Sequence, residues 1–239
     1  MKTVFITGAN KGIGFETAKQ LAQLGYFVYL GSRDKIKGTE AIKKLNDLGI
    51  SNVEQIQIDI ADIASIKQAK QNIETKVNSL DILINNGGIA GEQPQHISSF
   101  DIDKLRELFN VNYFGVVQTT QQFIPLLEKS DTPRIINVSS EVGSLTLNTS
   151  PDRKDRWDIF NAYGSSKTAL NSFTVMLANE FRNTKFKVIS VTPGFTATDI
   201  NQHRGIKTVE EGASPIVRSV VSTDIETRKF YSEEGEVPW

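Results

Sequence analysis

Short apolar runs rich in valine and isoleucine recur along the chain. Each is followed by a stretch whose apolar positions repeat with a helical period. The runs are Val4-Phe5-Ile6, Phe27-Val28-Tyr29-Leu30, residues 53–58, Ile82-Leu83-Ile84, Ile135-Ile136-Asn137-Val138 and Val188-Ile189-Ser190-Val191. Between and after them the spacing predicts helices over 12–24, 36–48, 63–77, 103–128, 161–182 and 208–222. Leu21 and Leu24 followed by Gly25 end the first helix as expected, with glycine just past the last turn. Strands that are apolar along most of their length and separated by helices imply an α/β protein whose parallel sheet is covered on both faces. No internal repeat, low-complexity segment or long linker divides the chain, so residues 1–239 are expected to form one domain.

Composition narrows the chemistry mainly by exclusion. The 239 residues are 38% hydrophobic and 23% charged, which suits a folded globular protein rather than a disordered one. A formal net charge of −1 gives no bulk electrostatic case for nucleic acid or an anionic membrane. There are no cysteines, which removes disulfides, thiolate nucleophiles and cysteine metal ligands. His96 and His203 lie far apart in polar stretches, so neither a histidine metal site nor a Ser-His-Asp hydrolase is expected. The opening MKTVFITG enters a strand pattern directly, without the pattern of a signal peptide. No apolar run approaches the roughly 18–20 residues that span a bilayer, so a cytoplasmic location is the expectation.

The first strand runs into Thr7-Gly8-Ala9-Asn10-Lys11-Gly12-Ile13-Gly14 and then a helix. A diphosphate needs close backbone approach and free N–H groups; glycines allow the first, and a helix N-terminus supplies the second together with positive partial charge. The spacing is G-x-x-x-G-x-G rather than the usual G-x-G-x-x-G, and a simple tight turn is the competing explanation. Further along come Asn85-Asn86-Gly87-Gly88, Asn112-Tyr113-Phe114-Gly115, Asn137-Val138-Ser139-Ser140, Tyr163 followed by Lys167, and Pro193-Gly194 with Thr198. These six patches, in this order and on these elements, resemble the short-chain dehydrogenase/reductase family across essentially the whole chain. Gly88 stands where that family usually has alanine. The run NKGIG at 10–14, Gly31-Ser32-Arg33-Asp34 and the polar turn ending at Trp239 are similar to its carbonyl-reductase group.

The resemblance implies a single-domain, Rossmann-type doubly wound fold that uses a nicotinamide dinucleotide. It places Gly8, Asn10, Lys11, Gly12, Ile13 and Gly14 at the diphosphate, with Asp59 and Ile60 at the adenine. Asn86 and Gly87 fall at a ribose, and Pro193, Gly194 and Thr198 at the carboxamide. Asp59 also suits a helix cap. The position at which NAD-preferring proteins carry a carboxylate falls on Ser32, followed by Arg33. Arg33 and Lys11 can meet a 2′-phosphate with charge-assisted hydrogen bonds, so NADPH is expected over NADH. The competing reading makes both cations solvated and lets Asp34 accept an NAD ribose.

Tyr163 and Lys167, four apart on a helix, share one face. A phenol of pKa about 10 can donate a proton to a developing alkoxide; acting as a base near pH 7 needs roughly 4 kcal/mol of phenolate stabilisation. One ammonium at about 4 Å in an effective dielectric near 20 supplies around that much. The resemblance makes Tyr163 the general acid, Lys167 its tuner and a cofactor clamp, and Ser140 a second grip on the substrate oxygen. Ser139 is the alternative to Ser140. Asn112 supports a water-mediated proton path, or else caps a helix. The 22 residues between Ser140 and Tyr163 are more than most of the family has. Within them 146–160 suggests a cover over the substrate, an obstacle to helix-to-helix dimerisation, or a plain surface loop. Residues 199–212 suggest a substrate lid.

The expected activity is NADPH-dependent reduction of an aldehyde or ketone to an alcohol, by a monomer or homodimer whose partner is a small carbonyl compound. A catalytically silent NADP(H)-binding regulator and an NAD-linked alcohol dehydrogenase are the rivals.

Overall fold

A computed structural model describes residues 1–239. The first half of the chain gives β1 (Thr3–Ile6), α1 (Gly12–Gln23), β2 (Phe27–Ser32), α2 (Lys35–Asp47), β3 (Val53–Gln57), α3 (Ile63–Glu74), β4 (Ile82–Asn85) and α4 (Ile102–Phe109). A wider π-helical turn, Asn110–Gly115, joins α4 to α5 (Val116–Leu127). The second half gives β5 (Arg134–Val138), α6 (Leu145–Asn148), α7 (Asn161–Glu180), β6 (Lys187–Val191), α8 (Val209–Val221), β7 (Phe230–Ser232) and β8 (Gly235–Glu236).

The strands form one sheet in the order β3-β2-β1-β4-β5-β6-β7-β8. All neighbours are parallel except β8, which returns antiparallel to β7. Successive side chains of a strand face opposite ways, and the sheet exploits this fully. Val4, Ile6, Leu30, Ile84 and Ile136 pack on one face with residues of α1, α2 and α8. Phe5, Tyr29, Leu83, Ile135 and Val188 pack on the other with residues of α3, α5 and α7. Both faces being buried is why the strands read as apolar runs rather than alternating ones. The order reverses between β1 and β4, where the carboxyl ends of an open parallel sheet leave a crevice. No helix is long and apolar enough to cross a membrane.

Three expectations are modified. The helix over 103–128 is interrupted by the π turn at 110–115. The segment 146–160 is not a plain loop: part belongs to α6, part forms a 3₁₀ turn at Asp155–Phe160, and Thr146 N–H donates to Trp239 O at 2.9 Å. The segment 199–212 starts with a 3₁₀ turn, Asp199–Asn201, and its last four residues already belong to α8.

Candidate active site

The crevice is built first by the turn after β1. Asn86 Nδ2 donates to Thr7 O at 3.0 Å and Gly8 O at 2.9 Å, while Thr7 Oγ1 accepts from the N–H groups of Asn86 and Gly87. The Asn86 side chain is thus spent on shaping the turn. Gly14 sits against it: a Cβ there would lie 2.4 Å from Asn86 Nδ2 and 2.6 Å from Gly8 O. Gly12 differs, with φ +58° and only the Thr198 methyl, at 3.6 Å, near an added Cβ. Helices α2, α3, α4, α6 and α8 each begin with a side chain that accepts from a first-turn N–H, namely Asp34, Asp62, Asp101, Ser144 and Thr208. Helix α1 has no such cap. Its donors and its positive end face the crevice, as a diphosphate would require. A dinucleotide therefore fits the residues present here.

At the end of β2, Ser32 is buried and its hydroxyl donates to Asp34 O at 2.8 Å, fixing the turn. Asp34 caps α2, its Oδ1 accepting from Ile36 N at 2.8 Å and Lys37 N at 3.1 Å. Arg33 is exposed and makes no ion pair. Lys11, by contrast, is paired with Asp199, which His203 also contacts at 2.9 Å. Asp59 accepts from Ala61 N at 3.0 Å and is not the cap of α3, a role Asp62 takes. Ile60 packs beside Gly87.

Tyr163 and Lys167 stand one turn apart on α7 near the carboxyl end of β5. Lys167 is 5% exposed; its Nζ donates to Val138 O at 2.8 Å and lies 5.7 Å from the centre of the Tyr163 ring. Burial pushes the Tyr163 phenol up to about 12, opposed only in part by a hydrogen bond with Ser140, and burial brings Lys167 down to about 8. The expected lowering of the phenol by Lys167 is not seen here: the phenol is raised, and only Ser140 opposes the rise. The ammonium donates to the Val138 carbonyl, and for the phenol desolvation is the largest influence. Tyr163 keeps part of its surface open to the crevice, as a group that meets substrate must. Ser140, not Ser139, faces the phenol; Ser139 is 2% exposed and its hydroxyl has no partner.

Asn112 is no helix cap. It sits inside the π turn, fully buried, with Oδ1 accepting from Ile89 N at 2.9 Å and Nδ2 donating to Ile89 O at 2.8 Å and Ser166 Oγ at 3.0 Å. Its side chain clasps the loop after β4 to α7. Pro193 and Gly194 follow β6, and Thr198 caps the 3₁₀ turn that lies over Gly12. The arrangement collects a neutral phenol, a hydroxyl and a buried ammonium beside an uncapped helix terminus. Two residues with no sequence signal also belong here: Ser166, whose hydroxyl donates to Tyr163 O at 2.7 Å, and the buried Gln95, which accepts from Tyr163 N–H at 2.8 Å.

The family model for short chain dehydrogenases matches residues 2–208. A (+)-neomenthol dehydrogenase of Arabidopsis thaliana is 36% identical over 93% of this chain and 92% of its own length. A salutaridine reductase of Papaver somniferum is 34% identical over 97% and 94%. The solved structure of salutaridine reductase from Papaver somniferum superposes with a TM-score of 0.84 at 32% identity, covering 97% of this chain and 99% of that one. The two alignments run over 274 and 294 positions, more than the 239 residues present here, so both relatives carry segments this chain lacks. The chain belongs to the short-chain dehydrogenase/reductase family and is an NAD(P)H-dependent oxidoreductase.

Proposed function

We propose that the protein reduces an aldehyde or ketone to an alcohol with NADPH, and that Tyr163 donates the proton. The observation that carries this reading is the neutral Tyr163 phenol, raised to about 12 by burial, beside Ser140 and one turn from the buried Lys167. A phenol that binds its proton tightly is a donor at neutral pH; Ser140 and Tyr163 together can hold the carbonyl oxygen, and Tyr163 then neutralises the alkoxide. When bound, the nicotinamide supplies the hydride. The uncapped start of α1 with Gly8, Asn10, Gly12, Ile13 and Gly14 would hold the diphosphate, and Asp59 and Ile60 the adenine. Gly87, Pro193, Gly194 and Thr198 would lie toward the nicotinamide end, where Lys167 and Tyr163 meet the ribose. Asn112 acts here through its grip on Ile89 and Ser166. The turn at 199–208 would cover the substrate side.

NADPH is favoured over NADH because Arg33 is an unpaired cation at the end of β2 while Asp34 is engaged as a cap. Lys11 can join Arg33 only by leaving Asp199. An NAD-linked alcohol dehydrogenase would have to use an Asp34 whose Oδ1 already serves the helix, and a silent cofactor-binding regulator has no use for an intact proton donor. The test follows NADPH and, separately, NADH absorbance against a panel of aldehydes, ketones and quinones, with Tyr163→Phe as control. Consumption of NADPH that Tyr163→Phe abolishes supports the enzyme; cofactor binding with no carbonyl reduced favours the regulator.

A further inference from the structure

Helix α7 starts without a cap of its own: Phe160 precedes it and offers no side-chain acceptor. Tyr163 is its third residue, so its N–H is among the donors a helix leaves unpartnered. That N–H is met by Gln95, 68 positions earlier in the chain, whose Oε1 accepts it at 2.8 Å. Gln95 is fully buried, and its Nε2 donates to Ala90 O at 2.6 Å and Glu92 O at 3.0 Å. Every polar atom of the amide is therefore used. Its backbone N–H adds a fourth tie, to Ile159 O at 3.2 Å, just before α7.

The carbonyl of the same residue is held as well. Ser166 donates to Tyr163 O and accepts from Asn112, which grips Ile89. Tyr163 is thus fastened at its N–H and at its C=O to two points of one loop, the loop leading away from β4. A buried amide with all its bonds made is costly to orphan and specifies one arrangement. Helix ends otherwise fray, and a long side chain on a frayed turn has no fixed tip.

We propose that Gln95 is a positioning residue for Tyr163: it caps the first turn of α7 from the neighbouring loop and so fixes where the phenol points relative to Ser140. The inference rests on the reading of Tyr163 as proton donor. Gln95 touches neither cofactor nor reacting atoms; it acts through the backbone of Tyr163.

The test is the near-isosteric Gln95→Met, compared with wild type and Tyr163→Phe on the panel carbonyl that wild type reduces fastest. Turnover is counted per NADPH-binding site. Loss of alignment is expected to lower kcat roughly ten- to a hundredfold, with the KM for NADPH within about twofold of wild type. The solvent deuterium isotope effect on kcat is expected to rise, because proton delivery is the step disturbed. In the protein without cofactor, amide exchange of Tyr163 is expected to quicken while that of Leu170, deeper in α7, does not change.

Wild-type kcat, or a fall in kcat with an unchanged isotope effect, would overturn the inference. Should Gln95→Met fail to fold, Gln95→Asn replaces it: the amide is kept, but it is one methylene too short to reach Tyr163 N–H from the same backbone position. Lower kcat with faster exchange of the Tyr163 amide is then expected, and wild-type kcat overturns the proposal. An inactive Tyr163→Phe beside a fully active Gln95 variant overturns this inference alone. A fully active Tyr163→Phe overturns the proton-donor reading and this one with it.

Discussion

The proposed chemistry rests mostly on two side chains four residues apart, and burial shifts the proton affinity of both. Lys167, brought down to about 8, is a cation at neutral pH and loses its charge as pH rises beyond that value. Carbonyl reduction is therefore expected to decline above about pH 8, with a limb that disappears in Lys167→Met; a pH–rate profile of the two proteins checks this. Stability moves the opposite way. The folded-state value lies below the ordinary lysine value of 10.5, so the unfolded chain holds more protons between about 8 and 10.5. Stability should then rise with pH through that window, toward a limit of roughly 3 kcal/mol. Tyr163, higher in the folded state than its ordinary 10.0, opposes the trend above about 10. Urea unfolding of wild type and Lys167→Met at several pH values between 7 and 10 should show the gain only in wild type. Arg33→Ala is expected to weaken NADPH roughly ten- to a hundredfold by removing charge-assisted hydrogen bonds, while NADH changes little. Fluorescence titration with each nucleotide reads the difference.

The helix starts divide into those that close themselves and those left for something else to close. Asp62 caps α3 by accepting from Ala64 N at 2.9 Å and is itself assigned no contact with cofactor or substrate. Asp62→Ala should cost about 0.5–2 kcal/mol and a few degrees of Tm with turnover unchanged. Asn112→Ala orphans both polar groups of Ile89 and frees Ser166, so it should lower both Tm and kcat; thermal melts and assays on the two variants separate the cases. The regular elements were legible because burial on both faces leaves an apolar imprint that survives without a structure. The π turn was not, because it leaves the apolar period of 103–128 nearly intact and the bonds its Asn112 makes, to Ile89 and Ser166, reach segments distant in sequence. β7 and β8 were missed for a related reason: three and two residues are too few to show any period. The glycine turn, Tyr163, Lys167 and Ser140 could be named as candidates because they fall in short motifs of fixed residue type and order. Gln95 could not, since an amide that works by reaching another segment has no local pattern.

At the scale of the whole molecule, the sheet reverses its order between β1 and β4, and the groups proposed to hold the cofactor and deliver the proton come from segments spread over residues 7–198. That dispersal means the cofactor should bind the folded chain only. NADPH at about a hundred times its Kd is expected to add roughly 2.7 kcal/mol, several degrees of Tm, and NADH clearly less at equal concentration. The polar turn at 199–204 also joins distant parts of the crevice, Asp199 meeting Lys11 and Arg204 meeting Gln93 at 2.7 Å. These two ties are exposed and each is worth about 1 kcal/mol or less, whereas Asn201 in the same turn is buried and donates to Thr196 O at 2.8 Å.

The most direct test of the central claim is NADPH consumption with the carbonyl panel by wild type and Tyr163→Phe, both shown to bind NADPH. The expected result is reduction by wild type of at least one panel carbonyl and a loss of roughly a hundredfold or more in Tyr163→Phe at equal cofactor occupancy. Equal turnover by the two proteins, or cofactor binding with no carbonyl reduced by either, would contradict it.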